Sequence, residues 1–215
     1  MIVLSWALCL MGLPWQNKVP TWSINQLFLS AVIQTVILWP VMFFLLKVDG
    51  QRLSSLGLDR EKWRTSVIPG LLFGVLVTIL DMFVLTPLSD SCFPASDSPS
   101  LDRWFQDLRA IPFWIFLACV GGGLNEEAWR SFVLSRFERA FARPGLIWAL
   151  LAQAGFFGLS HLYQGKAQAV AAGFLGMVFA LIYLRRRSSW DAVIAHTTSD
   201  IIGVGMAFFH RYGRA

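Results

Sequence analysis

Charged side chains are scarce in this sequence, in which Asp, Glu, Lys and Arg together make up 14% of 215 residues. Soluble domains carry about 25% charged residues, so this scarcity excludes an ordinary soluble domain. Apolar residues make up 56%, and ten Trp and eighteen Phe suit a chain that meets both lipid tails and headgroups. The length gives room for about six to eight spans of about 20 residues each. We therefore predict one integral membrane domain over residues 1–215, folded as an all-α, polytopic transmembrane helix bundle of about six to eight helices.

Cysteine is also rare, and the three cysteines are scattered at positions 9, 92 and 119. They are odd in number and form no CxxC pair, so the sequence implies neither a disulfide framework nor a structural zinc site. The sequence likewise has no single basic patch, although its net charge is +5. The basic residues lie at the ends of apolar runs. This placement predicts a lipid bilayer with anionic headgroups as a partner, and no nucleic acid.

Long apolar runs divide the chain into predicted spans. The run Met1–Leu13 is expected to remain as a short first span or an interfacial segment, because no basic region precedes it. Asp49–Arg64 mixes charges with leucines and is predicted to lie at the membrane interface, and Ser89–Arg109 is predicted to be the longest extramembrane loop. The further predicted spans are Ile24–Val48, Ser66–Leu88, Ile111–Leu124 with a helical extension to Phe141, Leu146–Leu162, Gln168–Leu184 and Trp190–Phe209.

Three basic segments set the predicted orientation. They all lie on one side of the membrane if the spans between them alternate in direction, and they are Lys47–Arg64, Arg136–Arg143 and Arg185–Arg187. The positive-inside rule makes that side cytoplasmic. The glycines at 121–123 interrupt one of the spans, which predicts either a break in the helix or the close approach of another helix.

Three polar motifs lie inside the apolar segments. Ionisable residues within membrane-spanning sequence are costly, so they usually face a cavity or one another and mark a functional site. Two of the chain's three histidines fall in these motifs, which indicates a buried site. The motifs are Asn125-Glu126-Glu127-Ala128-Trp129-Arg130, Phe157-Gly158-Leu159-Ser160-His161 and His196-Thr197-Thr198-Ser199-Asp200.

Each motif alone also has a purely structural interpretation. His196 and Asp200 are four residues apart, so they share one side of a helix and can satisfy each other. Glu126 is one turn from Arg130 and can pair with it. We predict that Arg130 pairs with a carboxylate of its own motif, preferably Glu126. Glu127 is offset from Glu126 by about 100° on the helix. Two acids beside one cation are hard to bury as structure alone, and a carboxylate in such a place is a natural general base for activating water.

Taken together, the three motifs resemble those of the CPBP family of intramembrane proteases. This family includes the type II CAAX prenyl endopeptidases and the bacterial Abi and bacteriocin-processing or immunity proteins. Its pattern is Glu-Glu followed after three residues by Arg, then Phe-x-x-x-His, then His-x-x-x-Asn or Asp. Phe157 with His161 and His196 with Asp200 match the second and third parts in full. The resemblance extends from about Gly50 to the C-terminus, with a catalytic core at about 111–209.

The first motif departs from the family pattern by one residue. Counted back from Arg130, the two glutamate positions fall on Asn125 and Glu126. Either Asn125 replaces the leading glutamate, or the pair Glu126-Glu127 is intact and one residue is missing before Arg130. Both interpretations keep Glu126 at or next to the catalytic position. We therefore predict that Glu126 is the catalytic carboxylate and that Glu127 assists it.

The resemblance implies an intramembrane endopeptidase that cleaves a membrane-associated peptide or protein, of prenylated or bacteriocin type. In that mechanism Glu126 or Glu127 would activate water, with His161 as its partner. The oxyanion would be stabilised by His196 and Asp200, and Arg130 would orient the glutamates. The family mechanism implied is metal-free, but two histidines and a glutamate also suit zinc, so the cofactor stays open. The expected location is the plasma membrane of a bacterium. The alternatives are a catalytically impaired immunity or scaffold protein and, with less support, a proton-coupled transporter.

Overall fold

The computed structural model describes residues 24–93, 105 and 107–213. These residues are helical and contain no β-strand, which confirms the predicted all-α bundle. The predicted first segment Met1–Leu13 and most of the predicted extramembrane loop lie outside the described residues. We number the α-helices α1 Ile24–Val48, α2 Arg60–Leu80, α3 Thr86–Cys92, α4 Ile111–Phe116, α5 Glu127–Ser160, α6 Lys166–Arg186 and α7 Ser189–Tyr212.

Short 3-10 and π-helical segments join these helices. The 3-10 turns are Leu53–Leu56, Leu108–Ala110 and Leu162–Gln164. One π-helix, Asp81–Leu85, connects α2 to α3, and another, Leu117–Glu126, connects α4 to α5. Five described stretches are therefore long and apolar enough to cross a membrane, namely Ile24–Val48, Leu53–Cys92, Leu108–Ser160, Lys166–Arg186 and Ser189–Tyr212.

Helix α2 begins earlier than its apolar run predicts. The Asp59 carboxylate accepts a hydrogen bond from Lys62 N at 2.8 Å, so Asp59 caps the helix and Arg60 is its first residue. The predicted interfacial stretch to Arg64 therefore already contains the first turn of the span. At the other end, helical structure continues to Cys92, four residues into the segment predicted as a loop. Capping chemistry, not hydropathy, decides where this long helical stretch begins.

The longest stretch, Leu108–Ser160, folds back on itself. Ala142 has φ 52° and ψ −148°, which breaks helix α5 immediately before Arg143 and Pro144. A continuous helix would hold Arg130 and Phe157 about 40 Å apart. Instead the Arg130 guanidinium carbon lies 4.6 Å from the centre of the Phe157 ring. The two halves of α5 therefore run side by side in opposite directions, as the separate predicted spans on either side of this point require.

The three basic segments meet at one end of the bundle, as the alternation of spans predicts. Arg187 forms a two-pronged ion pair with Glu138, with both nitrogen–oxygen distances at 2.5 Å. Arg136 pairs with Asp49, and Lys62 Nζ donates to the backbone oxygen of Arg186 at 3.1 Å. We refer to this end as the basic end.

Helices α2 and α7 pack closely and in parallel from the basic end. A Cβ atom added at Gly70 would lie 2.6 Å from the Cβ of Ile194, and one added at Gly74 would lie 2.5 Å from the Cβ of Thr198. The next contact along both helices is a hydrogen bond from Thr78 Oγ1 to Ser199 Oγ at 3.3 Å. Small residues of this kind allow helix backbones to approach closely within a membrane. The packing fixes the depth of the third motif.

Candidate active site

The π-helix Leu117–Glu126 carries the first motif against α7. A Cβ atom at Gly122 would lie 2.5 Å from Asp200 Oδ2 and 3.3 Å from His196 Nε2. A Cβ atom at Gly123 would overlap Thr197 Oγ1. The glycines therefore serve the close helix approach that the sequence predicts, and the helix widens at this point without breaking. Wide turns of this kind occur frequently at functional sites.

We expect Gly123→Ala to lower the free energy of unfolding by about 1–3 kcal/mol, the usual cost of adding a methylene to a packed interior. The added Cβ would meet Thr197 Oγ1 and two backbone oxygens, and backbone cannot move aside cheaply. Gly121→Ala is the matched control, because a Cβ atom there would lie 3.9 Å from its nearest neighbour. Thermal unfolding in detergent measures both variants. Equal midpoints would contradict the close packing of this segment against α7.

Glu127 occupies the centre of the polar cluster and is fully buried. Its Oε1 atom accepts hydrogen bonds from Arg130 and from His196 Nδ1, the latter at 2.7 Å. The prediction that Arg130 pairs with a carboxylate of its own motif is therefore confirmed, but the preferred partner is wrong: Arg130 binds Glu127, three residues away, and not Glu126. The physical reason is the direction in which the helix presents the two acids. The turn that leads into α5 points Glu127 into the protein interior, towards Arg130 and α7.

Glu126 lies on the other side of this cluster. Its Oε2 atom is 4.0 Å from His196 Nε2, and its side chain is 20% exposed. Asp200 Oδ1 is 3.6 Å from the same nitrogen, with a side chain that is 37% exposed. Because Nδ1 of His196 donates to a carboxylate, the ring is held with Nε2 directed towards these two acids. The arrangement sets two partly accessible carboxylates around one ring nitrogen.

Asn125 takes no part in this arrangement. Its side-chain oxygen accepts a hydrogen bond from Trp39 Nε1 at 2.9 Å, and its Nδ2 donates to Thr35 Oγ1 at 2.7 Å. Both partners belong to α1, and Asn125 is fully buried between that helix and the π-helix. Satisfied amides of this type are typical of structural cross-links between membrane helices. Of the two interpretations of the first motif, this position favours the one in which Glu126 and Glu127 form the intact glutamate pair.

His161 closes the second half of α5. Its Nδ1 lies 2.8 Å from the backbone oxygen of Phe157 and 3.2 Å from Ser160 Oγ. A carbonyl oxygen only accepts, so Nδ1 donates to it and carries the proton. The Phe157 ring packs against His161, with ring centres 4.6 Å apart. The i, i+4 spacing of the second motif thus serves two purposes, because the same residue orients the imidazole through its backbone and its ring.

Two aromatic rings enclose the charged cluster. Phe179 stacks on His196, with ring centres 4.3 Å apart and planes inclined by 13°. Arg130 lies over the Phe157 ring and within 5.8 Å of the Phe179 centre. Cation–π contacts of this kind stabilise a guanidinium that has left water. The sequence alone does not identify Phe179, because it lies in an apolar span with no polar neighbour to mark it.

The three motifs open into one cavity of about 450 Å³ between the helices. Its polar wall includes Glu126, His161, His196 and Asp200, whereas Glu127 and Arg130 lie behind that wall. Asp81, from the π-helix that follows α2, also lines the cavity. Apolar lining residues include Leu27, Trp114, Leu117, Leu175 and Val204, and further polar ones are Ser30, Gln34, Gln164 and Gln168. Four of the six predicted site residues therefore face a common space, and the other two support them from behind.

The family comparison agrees with the three motifs. Residues 107–202 match the family model of the type II CAAX prenyl endopeptidase Rce1-like proteins, and this range contains all three motifs. The match confirms the resemblance identified from the sequence. No curated protein and no solved structure shows significant similarity to the chain.

Proposed function

We propose that the chain, whose residues 107–202 match the family model of the type II CAAX prenyl endopeptidase Rce1-like proteins, hydrolyses a peptide bond of a membrane-associated substrate in the cavity described above. Glu126 is the general base that activates water, and His196 stabilises the oxyanion. The observation that carries the proposal is the 4.0 Å approach of Glu126 Oε2 to His196 Nε2 at the cavity wall. A carboxylate and an imidazole so placed lie side by side at one wall of the cavity, where the carboxylate can contact the attacking water and the imidazole the oxygen of the same scissile carbonyl.

The first step is attack by water on the carbonyl carbon. The Glu126 carboxylate takes one proton from the water, the new carbon–oxygen bond forms, and the carbonyl oxygen becomes an oxyanion. His161 lines the same cavity, and its Nδ1 donates to the Phe157 carbonyl. In this tautomer Nε2 is the acceptor nitrogen of the ring, which suits it to orient the water. In the second step the carbon–nitrogen bond breaks, and the leaving amine takes the proton held by Glu126.

The negative charge of the oxyanion is stabilised by His196, which Glu127 and Arg130 hold in place. Because Nδ1 already donates to Glu127, Nε2 is a donor only when both ring nitrogens carry a proton, and the proposal therefore assigns the imidazolium form to His196. Its Nε2–H contacts the developing oxyanion, and a well-placed donor of this type contributes about 10²–10³ in kcat. Glu127 accepts from Nδ1 at 2.7 Å and thereby fixes the orientation of the ring. Arg130 compensates the charge of Glu127. In this proposal Glu127 and Arg130 are positioning residues, and Asp200 flanks Nε2 from one turn further along α7.

The proposal routes no step through a metal. Within the described part of the chain, no group of three His, Cys, Asp or Glu side chains is arranged to hold a metal ion. The proposal assigns the proton transfers to residues of the chain itself.

A scaffold or immunity protein that has lost catalysis is the main competing function. That alternative rests on Asn125 in place of the leading glutamate. The hydrogen bonds of Asn125 to Thr35 and Trp39 favour a structural role for it, and they leave Glu126 as the acid at the cavity wall. The position of Glu126 therefore supports an enzyme over a scaffold.

We expect His196→Ala to lower the kcat for cleavage of a membrane-tethered reporter by about 10²–10³-fold, because the oxyanion loses its donor. The matched control is His210→Ala, which removes the exposed third histidine near the end of the same helix. The assay uses the full chain in lipid nanodiscs, and the products are identified by mass spectrometry. Absence of cleavage by the unmodified protein across a panel of prenylated and unprenylated reporters would favour the scaffold. Full activity in His196→Ala would rule out the proposed oxyanion site.

A further inference from the structure

Asp81 is an intramembrane acid that the proposed reaction does not use. It lies within the stretch Leu53–Cys92, which is long and apolar enough to span the membrane. Its side chain lines the same cavity as Glu126 and His196. Among the described residues, no basic side chain lies within ion-pairing distance of Asp81, and no Lys or Arg lines the cavity. A carboxylate at membrane depth is costly to keep without a purpose.

The backbone around Asp81 holds its carboxylate in a defined position. Thr86 contacts Asp81 twice: its backbone N–H donates to Asp81 O across the wide turn, and its hydroxyl donates to Asp81 Oδ1 at 3.2 Å. Pro87 follows and has no N–H to continue a regular α-helical ladder, which explains why the turn widens here. Two π-helices occur in the described residues, and each places an acid at the cavity wall: Asp81 at the start of one and Glu126 at the end of the other.

The parallel packing of α2 and α7 gives the depth of Asp81 relative to the reaction site. Thr78 and Ser199 are hydrogen-bonded and so lie at one level. Asp81 is three residues beyond Thr78, and Ser199 is three residues beyond His196. Each residue advances the chain by about 1.5 Å along the helix axis. By this contact Asp81 lies about 9 Å further from the basic end than His196. The contact of Gly74 with Thr198 gives about 13 Å by the same count. An extended peptide covers about 9–13 Å in about three or four residues.

We propose that Asp81 is a specificity-determining residue that binds a basic side chain of the substrate about three or four residues from the scissile bond. The inference rests on the proposed peptidase function and extends it to the class of substrate. Oδ1 keeps its hydrogen bond to Thr86, and the remaining acceptor positions of the carboxylate receive the ammonium or guanidinium of the substrate. The low-dielectric surroundings strengthen such a pair relative to the same pair in water.

The experiment compares substrates that differ by one charge. Membrane-tethered reporters carry Lys, Gln or Glu in turn at each of the four positions on either side of the scissile bond. The full chain in nanodiscs is assayed as the unmodified protein, as Asp81→Asn and as Asp90→Asn. Asp90 is the matched control, because it is an exposed acid on α3 that does not line the cavity. The measured quantity is the ratio of kcat/KM for the Lys reporter to that for the Gln reporter within each variant.

We expect the unmodified protein and Asp90→Asn to prefer Lys by about tenfold or more at a position about three or four residues from the bond. In Asp81→Asn this ratio falls to near one, mainly through KM, and in Asp81→Lys the Glu reporter becomes the preferred substrate. A Lys preference that survives in Asp81→Asn overturns the proposal, and so does the absence of any preference in the unmodified protein.

A binding measurement separates this proposal from the proposed reaction. Fluorescent versions of the Lys and Gln peptides are titrated onto the same nanodiscs with the Glu126→Gln protein, with and without Asp81→Asn. Tighter binding of the Lys peptide that depends on Asp81 supports the basic subsite even if no reporter is cleaved, in which case only the peptidase function fails. Equal affinity for both peptides overturns the subsite, whether or not cleavage occurs.

Discussion

Replacing Glu126 by Gln is expected to lower kcat/KM for peptide cleavage by about 10³-fold, within the range that a general base contributes. Gln keeps the shape of the side chain but cannot take the proton from water. Stability should change little, because no described partner lies closer to the Glu126 carboxylate than His196 Nε2 at 4.0 Å. Cleavage kinetics in nanodiscs and thermal unfolding in detergent measure the two effects on the same preparations.

Glu61→Gln serves as the control for loss of one carboxylate. Glu61 is exposed in the first turn of α2, at the basic end and away from the cavity. This variant should cleave the reporter at the rate of the unmodified protein. Near-normal activity in Glu126→Gln would show that Glu126 is not the base. If Glu127→Gln alone then lost activity with its stability intact, the roles of the two acids would be the reverse of those proposed.

The second large effect concerns Glu127, whose loss is expected to destabilise the protein. Glu127→Ala leaves Arg130 buried among Phe157 and Phe179 without its carboxylate partner. Breaking a buried ion pair from one side typically costs about 3–5 kcal/mol, because the remaining charge stays out of water. We therefore expect lower yield in the membrane and a lower unfolding midpoint. This revises the sequence prediction that Glu127 only assists Glu126, since its removal should harm the fold as well as the reaction.

A double variant tests whether the stranded charge is the cause. In Glu127→Ala/Arg130→Met a flexible apolar side chain replaces the guanidinium between the two rings, so part of the lost stability should return. The comparison pair is Glu138 with Arg187, whose side chains are 36% and 45% exposed. Glu138→Ala should cost no more than about 1 kcal/mol, as expected for a surface ion pair. If the double variant is no more stable than Glu127→Ala, the stranded charge of Arg130 is not what destabilises it.

Much of the candidate site follows from sequence because its chemistry is costly in a membrane. Acids and histidines within apolar runs must face a cavity or one another, and that condition leads directly to Glu126, His161, His196 and Asp200. The glycines before Glu126 indicate close helix approach for an equally simple reason, since only a residue without Cβ leaves room for Asp200. Composition fixes the all-α class, because helices satisfy their own backbone in lipid.

The pairing within the first motif could not be obtained in the same way. Residues three and four apart both lie within reach on a helix, so spacing alone does not decide whether Arg130 binds Glu126 or Glu127. Which of the two acids binds Arg130 depends on how the π-helix orients them relative to α7. Packing between segments that are distant in the sequence sets that orientation. The contact of Phe179 with His196 could not be predicted for the same reason. Phe179 stacks on His196, but the residues around it in the sequence are apolar and do not indicate that contact.

The reversal of α5 at Ala142 also bears on the order in which the site assembles during synthesis. Glu127, Arg130 and Phe157 all belong to the two arms of this hairpin, whereas His196 follows Glu127 by 69 residues. Because the chain emerges from its N-terminus, the hairpin can enter the bilayer before α7 exists. Glu127 and Arg130 form their ion pair within that hairpin. Neither charge is therefore left unpaired in the lipid before the last helix is inserted.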